Sequence, residues 1–163
     1  MMLESILRCI ASSVGSPLST NKIADTLTSA GRSINVKTVE KYLSALLDSY
    51  ILYQAKRHDA KGRRHLKTLE KYYLVDNGLR HILLGRKHMD VGHVLENVIY
   101  LDLIRRGYDV HIGKVGTMEV DFVATSPTET LYFQVAATVR DESTWNESCA
   151  FCSRSTIITP SSF

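Results

Sequence analysis

Apolar residues recur every three or four positions along the first third of the chain, which is the spacing of amphipathic helices. The first such stretch covers residues 2–14 and ends at a Gly-Ser-Pro sequence. Ser19 or Thr20 can cap a second helix, and Asn35 can cap a third that continues to about Ser49. The pattern therefore predicts three short helices, the second and third of which form a helix-turn-helix unit.

The pattern changes after the third helix, where short apolar runs alternate with a polar one. Residues 50–53 and 71–76 are typical of strands, and the basic stretch 56–64 between them predicts a polar turn. A short helix is expected over 79–85. Three helices followed by a hairpin with a basic tip predict a winged helix-turn-helix domain, which we place at residues 1–88.

The second half of the chain begins with another helical pattern, from Val91 to a stop at Gly107. Alternating runs at 108–112, 118–125 and 130–139 predict three strands joined by hairpins. A helix followed by these strands is expected to give a mixed sheet backed by helices. The predicted fold class is therefore α/β (α+β), with a second domain over residues 91–163.

Composition narrows the class of protein. The hydrophobic content is 44% and the charged content 23%, which is typical of a globular chain. No apolar run approaches the length of a membrane span, and the N-terminus does not resemble a secretion signal. The three cysteines have no framework spacing, which fits a reducing compartment. These features predict a cytoplasmic protein with no membrane partner.

The net charge of +3 is unevenly distributed. Residues 1–90 contain 15 Lys and Arg against 8 Asp and Glu, whereas residues 91–163 contain 5 against 9. The basic half could attract the negatively charged phosphates of DNA. The candidate contacts are on the third helix and in the hairpin tip: Lys37, Thr38, Lys41, Lys61, Arg63 and Arg64. A protein-docking role is the alternative, because many such domains bind proteins and a solvated hairpin is often basic.

Three residues of the second half suggest a degenerate catalytic site. Glu96 lies among apolar residues of the predicted helix, while Asp121 and Gln134 lie on neighbouring predicted strands. One helical acid and two polar groups on adjacent strands are the arrangement of a metal-dependent nuclease. However, Gln134 is a neutral amide, and Ala136 supplies no ammonium group. The site is therefore expected to have the framework of a nuclease without its full chemistry.

Two interpretations of this site remain open. In the first, Gln134 donates a hydrogen bond to one of the carboxylates and closes the site, so that no cofactor is required. In the second, Glu96 and Asp121 bind Mg²⁺, with Glu119 in support, and the protein is a DNA endonuclease or phosphodiesterase. No phosphate-binding loop of the G-x-x-x-x-G-K-[ST] type occurs, so no ATP site is expected in this chain.

The chain also resembles a known family. The sequences TVEKYLSALLDSYILY, KYYLVDNGLRHILLG, GHVLENVIYLDLIRRGYDVHIGKVGTMEVDFVA and YFQVAATVRDESTWNE are similar to the C-terminal region of prokaryotic AAA+ ATPases, a domain of unknown function. The resemblance covers roughly residues 1–147. It implies a winged helix followed by a restriction-endonuclease-like core of the PD-(D/E)xK type, with Glu96, Asp121 and Gln134 at the motif positions.

The resemblance carries further expectations. It implies that the chain is a fragment of a larger protein and that an upstream ATPase domain is a candidate partner. The Ser- and Cys-rich stretch 148–156 departs from the family pattern, which suggests truncation or a frameshift near 148 and a sheet that needs a partner or self-association. Cys149 and Cys152 form one pair where a structural zinc site needs four ligands, so we expect no zinc there.

Overall fold

A computed structural model describes residues 1–58, 70–85, 90–115, 118–135 and 155–158 of the chain. Within these residues the fold is mixed α+β, with five helices and two small sheets. The chain divides into two compact units. The first comprises Met1–Ala55 and Lys67–Met89, and the second comprises Lys56–Leu66 and Asp90–Phe163.

The first unit consists of four helices and a three-stranded antiparallel sheet with the order β1-β4-β2. In chain order its elements are α1 (Met2–Ser12), β1 (Pro17–Leu18), α2 (Thr20–Ser29), α3 (Val36–Asp48), β2 (Leu52–Ala55), β4 (Glu70–Leu74) and α4 (Asn77–Leu84). Its core contains apolar residues that recur every three or four positions along the helices. Fully or almost fully buried are Ile6, Ile10, Val14, Ile23, Leu27, Val39, Leu43 and Leu46.

Side chains cap three helices of this unit, and two of the caps, Ser19 and Asn35, lie at predicted positions. Ser19 accepts a hydrogen bond from the backbone of Lys22 at 3.1 Å, and Asn35 accepts one from the backbone of Thr38 at 2.8 Å. Asp76 caps α4 through the backbone of Gly78. These bonds satisfy amide groups that have no partner inside the helix. They explain why α2 and α3 begin where the sequence predicted.

Helices α2 and α3 end with the same pair of backbone hydrogen bonds. In each, the N–H groups of the first and second residues beyond the cap donate to carbonyls of the last helical turn. The residue after the cap must then adopt a left-handed conformation. Gly31 does so after α2 with φ of 77°. After α3 the same position is held by Tyr50, with φ of 57° and 71% of its surface exposed. The motif explains why β2 begins at Leu52 rather than at residue 50.

The second unit has one described helix and a five-stranded sheet. The helix is α5 (Val91–Arg105), and the strands are β3 (Arg57–His58), β5 (Asp109–Val115), β6 (Met118–Thr125), β7 (Thr130–Val135) and β8 (Ser155–Ile158). The strand order is β3-β5-β6-β7-β8. The central pairs are antiparallel, whereas the outer strands β3 and β8 each pair in parallel with their neighbour.

Helix α5 lies against β5, β6 and β7. Its ring contact with the sheet joins Tyr100 to Phe122, with centroids 5.8 Å apart. Both side chains are almost fully buried, as are Val110 and Ile112 of β5. Burial of such apolar surface is worth about 25 cal/mol per Å². The helix and the sheet therefore share one apolar core.

The predicted polar turn at residues 56–64 is wrong at its beginning. Arg57 and His58 form β3, which pairs with Ile112 and Gly113 of β5. An edge strand needs only backbone groups to pair, so a basic sequence can occupy it without an apolar signature. The remainder of that predicted turn, and most of the Ser- and Cys-rich stretch near the C-terminus, lie outside the described residues.

None of the helices in the described part of the chain combines the length and the apolar character needed to cross a membrane.

Candidate functional site

Asp121 of β6 and Gln134 of β7 are in direct contact. The register of these strands pairs Phe122 with Phe133, so the next pair along the ladder is Asp121 and Gln134. The Gln134 side-chain nitrogen Nε2 donates a hydrogen bond of 2.9 Å to Asp121 Oδ2. The backbone nitrogen of Val135 donates a second bond of 2.9 Å to the same oxygen. Two N–H groups therefore converge on one carboxylate oxygen.

These bonds have a chemical consequence. A carboxylate oxygen offers about two lone-pair sites, and here both face N–H donors. A cation that used Asp121 Oδ2 would have to displace one of these donors. The amide of Gln134 presents its nitrogen to Asp121, and an amide nitrogen is not a ligand for a hard cation.

Glu96 lies on α5, the helix that packs against β5, β6 and β7. Only 8% of its surface is exposed, and the neighbouring Asn97 is fully buried. Tyr100 lies one helical turn after Glu96, and its ring contacts that of Phe122, the residue next to Asp121 on β6. Residues four apart lie on the same helical face, so Glu96 is on the side of α5 that packs against the sheet. A carboxylate in that position needs polar partners to offset its desolvation.

Four further positions bear on metal chemistry: Glu119, Ala136, Cys149 and Cys152. Glu119 lies on β6 with its Cα opposite that of Lys114 on β5. Ala136 lies outside the described residues, as do Cys149 and Cys152. In the described ranges, no group of three or more His, Cys, Asp or Glu side chains is arranged to hold a metal ion.

The candidate nucleic-acid contacts of α3 differ from one another. Lys37 and Lys41 are exposed and lie one helical turn apart. Thr38 between them is partly buried, and its hydroxyl donates to Asn35 at 2.9 Å. Thr38 therefore contributes to the helix cap. The hairpin residues Lys61, Arg63 and Arg64 lie outside the described part of the chain.

The exposed surface of α3 also carries acids. Glu40 and Asp48 are exposed on the same helix as Lys37 and Lys41. The formal charges of these four side chains cancel, so the helix itself does not present a strongly positive surface. Attraction to a polyanion would therefore depend more on the basic segment that follows β2 than on α3.

A polar cluster at the base of the hairpin was not among the predicted sites. Tyr72 donates to Glu70 Oε2 at 3.1 Å, and Gln54 donates to the same oxygen. Burial raises the pKa of Tyr72 above its ordinary value of 10, and the Glu70 carboxylate adds to the effect. The Cα pairing of Gln54 with Tyr72 places the three groups on one face. Their cross-strand register, which the sequence alone does not specify, brings them together.

Comparisons with known proteins found a family model and a longer relative. A family model described as "Domain of unknown function (DUF8612)" matches residues 1–90. An uncharacterized protein of Haemophilus influenzae is 41% identical over 135 residues, which cover 83% of this chain and 34% of that protein. The chain thus spans about a third of the length of this relative. No solved structure matches the chain.

Proposed function

The chain belongs to the DUF8612 family, and from this premise we propose that it is a non-catalytic binding module with a degenerate nuclease-like core. The observation that carries the proposal is the pair of N–H groups donated to Asp121 Oδ2 by Gln134 and Val135. In an active metal-dependent nuclease the corresponding carboxylate would be available to Mg²⁺. Here one oxygen of that carboxylate, Asp121 Oδ2, accepts hydrogen bonds from two N–H groups of the protein.

The sequence around these residues supports the same proposal. A second carboxylate at position 134 would add a negative charge to the site, and Gln134 does not. Ala136 has no cationic group to stabilise a phosphoryl transition state. A cation bound by Glu96 and Asp121 would then depend largely on water and substrate oxygens. The site is better suited to hold β6 and β7 together than to cut a phosphodiester.

For the binding function we propose that the first unit is a winged helix-turn-helix that engages DNA. The order of its elements, with two consecutive helices followed by an antiparallel hairpin, supports this assignment. The candidate contacts in this unit are Lys37 and Lys41. The basic stretch 54–71, which holds seven Lys and Arg against two acids, is a separate candidate. The cancelling charges of α3 favour the hairpin as the main contact with phosphates.

The resemblance to the C-terminal region of AAA+ ATPases supports a further part of the proposal. The relative is about three times longer than the matched segment, which is consistent with a module that works beside another domain. In that arrangement the degenerate core would be a second docking or self-association surface for an ATPase domain. We place the protein in the cytoplasm on the basis of its composition.

Binding and cleavage can be separated in one experiment. The purified chain is mixed with plasmid DNA in the presence of Mg²⁺ or Mn²⁺, and both complex formation and cleavage are measured. We expect a complex whose affinity falls steeply with salt, because phosphate contacts release counterions. We expect no cleavage in either metal. Absence of a complex at low salt would contradict the DNA-binding proposal and leave protein docking as the binding function.

Charge variants then locate the contact. Replacing Lys61, Arg63 and Arg64 with Ala should weaken the complex and flatten its salt dependence. Lys22→Ala, which removes one exposed cation from α2, is the control and should change the affinity little. If the triple variant binds as the unmodified chain does, the hairpin is not the contact.

One observation favours a second candidate function. Glu96 is almost fully buried on the face of α5 that packs against β6 and β7, where an acid is costly without a role. A magnesium-dependent DNA endonuclease or phosphodiesterase would use Glu96 and Asp121 as ligands. Metal-dependent cleavage that is abolished by Asp121→Ala and by Glu96→Gln would favour this function over the binding module.

A further inference from the structure

Helix α5 is also apolar on the side opposite its buried face. The residues of this outer face lie three or four positions apart: Val91, Val94, Val98 and Leu101. Val91 is 56% exposed and Val98 is 39% exposed, while the other two are partly buried. From Val91 to Leu101 the one formally charged residue is Glu96, which is buried on the opposite side. The outer face therefore lacks the charged side chains that usually cover a surface helix.

The spacing of the outer face is that of a seam between two packed helices. Val91 and Val98 correspond to the a positions of a heptad, and Val94 and Leu101 to its d positions. A helix that is apolar on both sides is expected to be covered on both sides. Because the outer face contains no cation, it fits a second apolar helix rather than a nucleic acid.

The two ends of the outer face carry opposite charges. Asp90 precedes the face with its side chain 61% exposed, and it caps the helix through the backbone of Gly92. At the other end, Arg105 and Arg106 both pair with Asp102, each at 2.6 Å. Two guanidinium groups beside one carboxylate leave a net positive charge at that end. A second α5 in antiparallel orientation would therefore meet the opposite charge at each of its ends.

We propose that a second copy of this chain docks its own α5 on the outer face, with the two helices antiparallel. This inference rests on the proposed self-association role of the core and names the surface. A two-fold axis beside Val98 places this residue against its own copy and sets Val94 level with Leu101 of the second copy. The same axis sets Asp90 level with Arg105 of the second copy. Every contact is then made twice, as in other dimers with two-fold symmetry.

Sedimentation velocity of the full chain over a wide range of concentration, without DNA, tests the association. We expect a reversible dimer. Val98→Glu places two like charges beside the axis and should weaken the dimer by about tenfold or more. Ile82→Glu is the matched control, because Ile82 is a 78% exposed apolar residue of another helix, α4, and this variant should dimerise as the unmodified chain does.

Two outcomes of this experiment would overturn the inference. A dimer that survives Val98→Glu would show that the outer face of α5 is not the contact. An unmodified chain that stays monomeric at every concentration would also overturn the self-association role of the core. Neither outcome affects the DNA-binding proposal, which is measured separately by complex formation with plasmid DNA.

Mixing two variants tests the two-fold arrangement. Val98→Glu and Val98→Lys should each be mainly monomeric, whereas an equal mixture should associate, because opposite charges then face each other across the axis. A mixture that stays monomeric would overturn the antiparallel arrangement. If either variant does not fold, Asp90→Asn replaces them, since Asn keeps the capping oxygen and removes the charge. This variant should weaken the dimer by about two- to tenfold, because symmetry repeats the lost pair, and an unchanged dimer would overturn the arrangement.

Discussion

The backbone conformation of Tyr50 can be tested by substitution. It is in a left-handed conformation after α3, where α2 uses Gly31 at the same position of the same motif. A residue with a Cβ pays roughly 1–2 kcal/mol in this conformation. Glycine avoids that cost but loses about 0.5–1 kcal/mol more through its greater freedom in the unfolded chain. Tyr50→Gly should therefore be more stable than Tyr50→Ala by about 0.5–1 kcal/mol.

The comparison of Gly with Ala removes the contribution of the ring. Tyr50 is 71% exposed, so both variants lose the same limited burial. Gly31→Ala is the matched test after α2, because a Cβ added at Gly31 would meet no atom within 4 Å. Its cost, also about 0.5–1 kcal/mol, would come from the backbone conformation alone.

An internal control comes from the same helix. Ala45 is exposed within α3, where Gly instead of Ala costs about 1 kcal/mol. The preference between Gly and Ala should therefore reverse between positions 45 and 50. Thermal unfolding followed by circular dichroism measures each pair, and a change of 1 kcal/mol corresponds to a shift in Tm of about 2–4 °C for a chain of this size. If Ala is preferred over Gly at position 50, the assigned helix end is wrong.

Other predictions concern hydrogen bonds and charges. Gln134→Leu removes a donor to Asp121 and should destabilise the protein by about 1–3 kcal/mol in urea denaturation. Gln134→Glu places a second carboxylate beside Asp121, so it should cost more stability at neutral pH and less in acid, where protonation relieves the repulsion between the two carboxylates. Recovery of the Gln134→Glu loss on addition of Mg²⁺ would argue for a metal site. Tyr72→Phe removes a bond to a part-buried carboxylate and should cost about 1–3 kcal/mol at neutral pH; an unchanged urea midpoint would contradict that bond. Hydrogen bonding from Arg105 holds the pKa of Asp102 below its ordinary value of 3.8, so its contribution to stability is present above that pH and is lost as the pH falls through the lowered value. The difference between the unmodified chain and Asp102→Asn should shrink accordingly in acid, and a difference that grows there would refute the assignment.

The helices of the first unit could be predicted because their signals are local. Ser19 and Asn35 cap α2 and α3 at the predicted positions, and the apolar residues that recur at helical spacing in both helices include buried ones. A cap bond or a left-handed turn involves residues within one helical turn of each other. Such features can be recognised without knowing how the rest of the chain folds.

The candidate site was only partly predictable. Strand alternation places Asp121 and Gln134 on neighbouring strands, but their contact requires the register that pairs Phe122 with Phe133. A slip of one residue would direct one side chain to the opposite face. The second hydrogen bond to Asp121 comes from the backbone of Val135, which no pattern of residue types reveals.

By itself, the order of residues determined the mixed α+β class, the extents of the main helices and strands to within a few positions, and the choice of buried apolar residues, because periodicity and capping act over short distances along the chain. Tertiary structure alone decided that Arg57 and His58 pair with β5 and that two N–H groups meet on Asp121. Each of these features depends on backbone groups or on segments distant in sequence. Since every residue except proline offers the same backbone donor and acceptor, the identity of the side chains does not indicate where those backbone groups will pair.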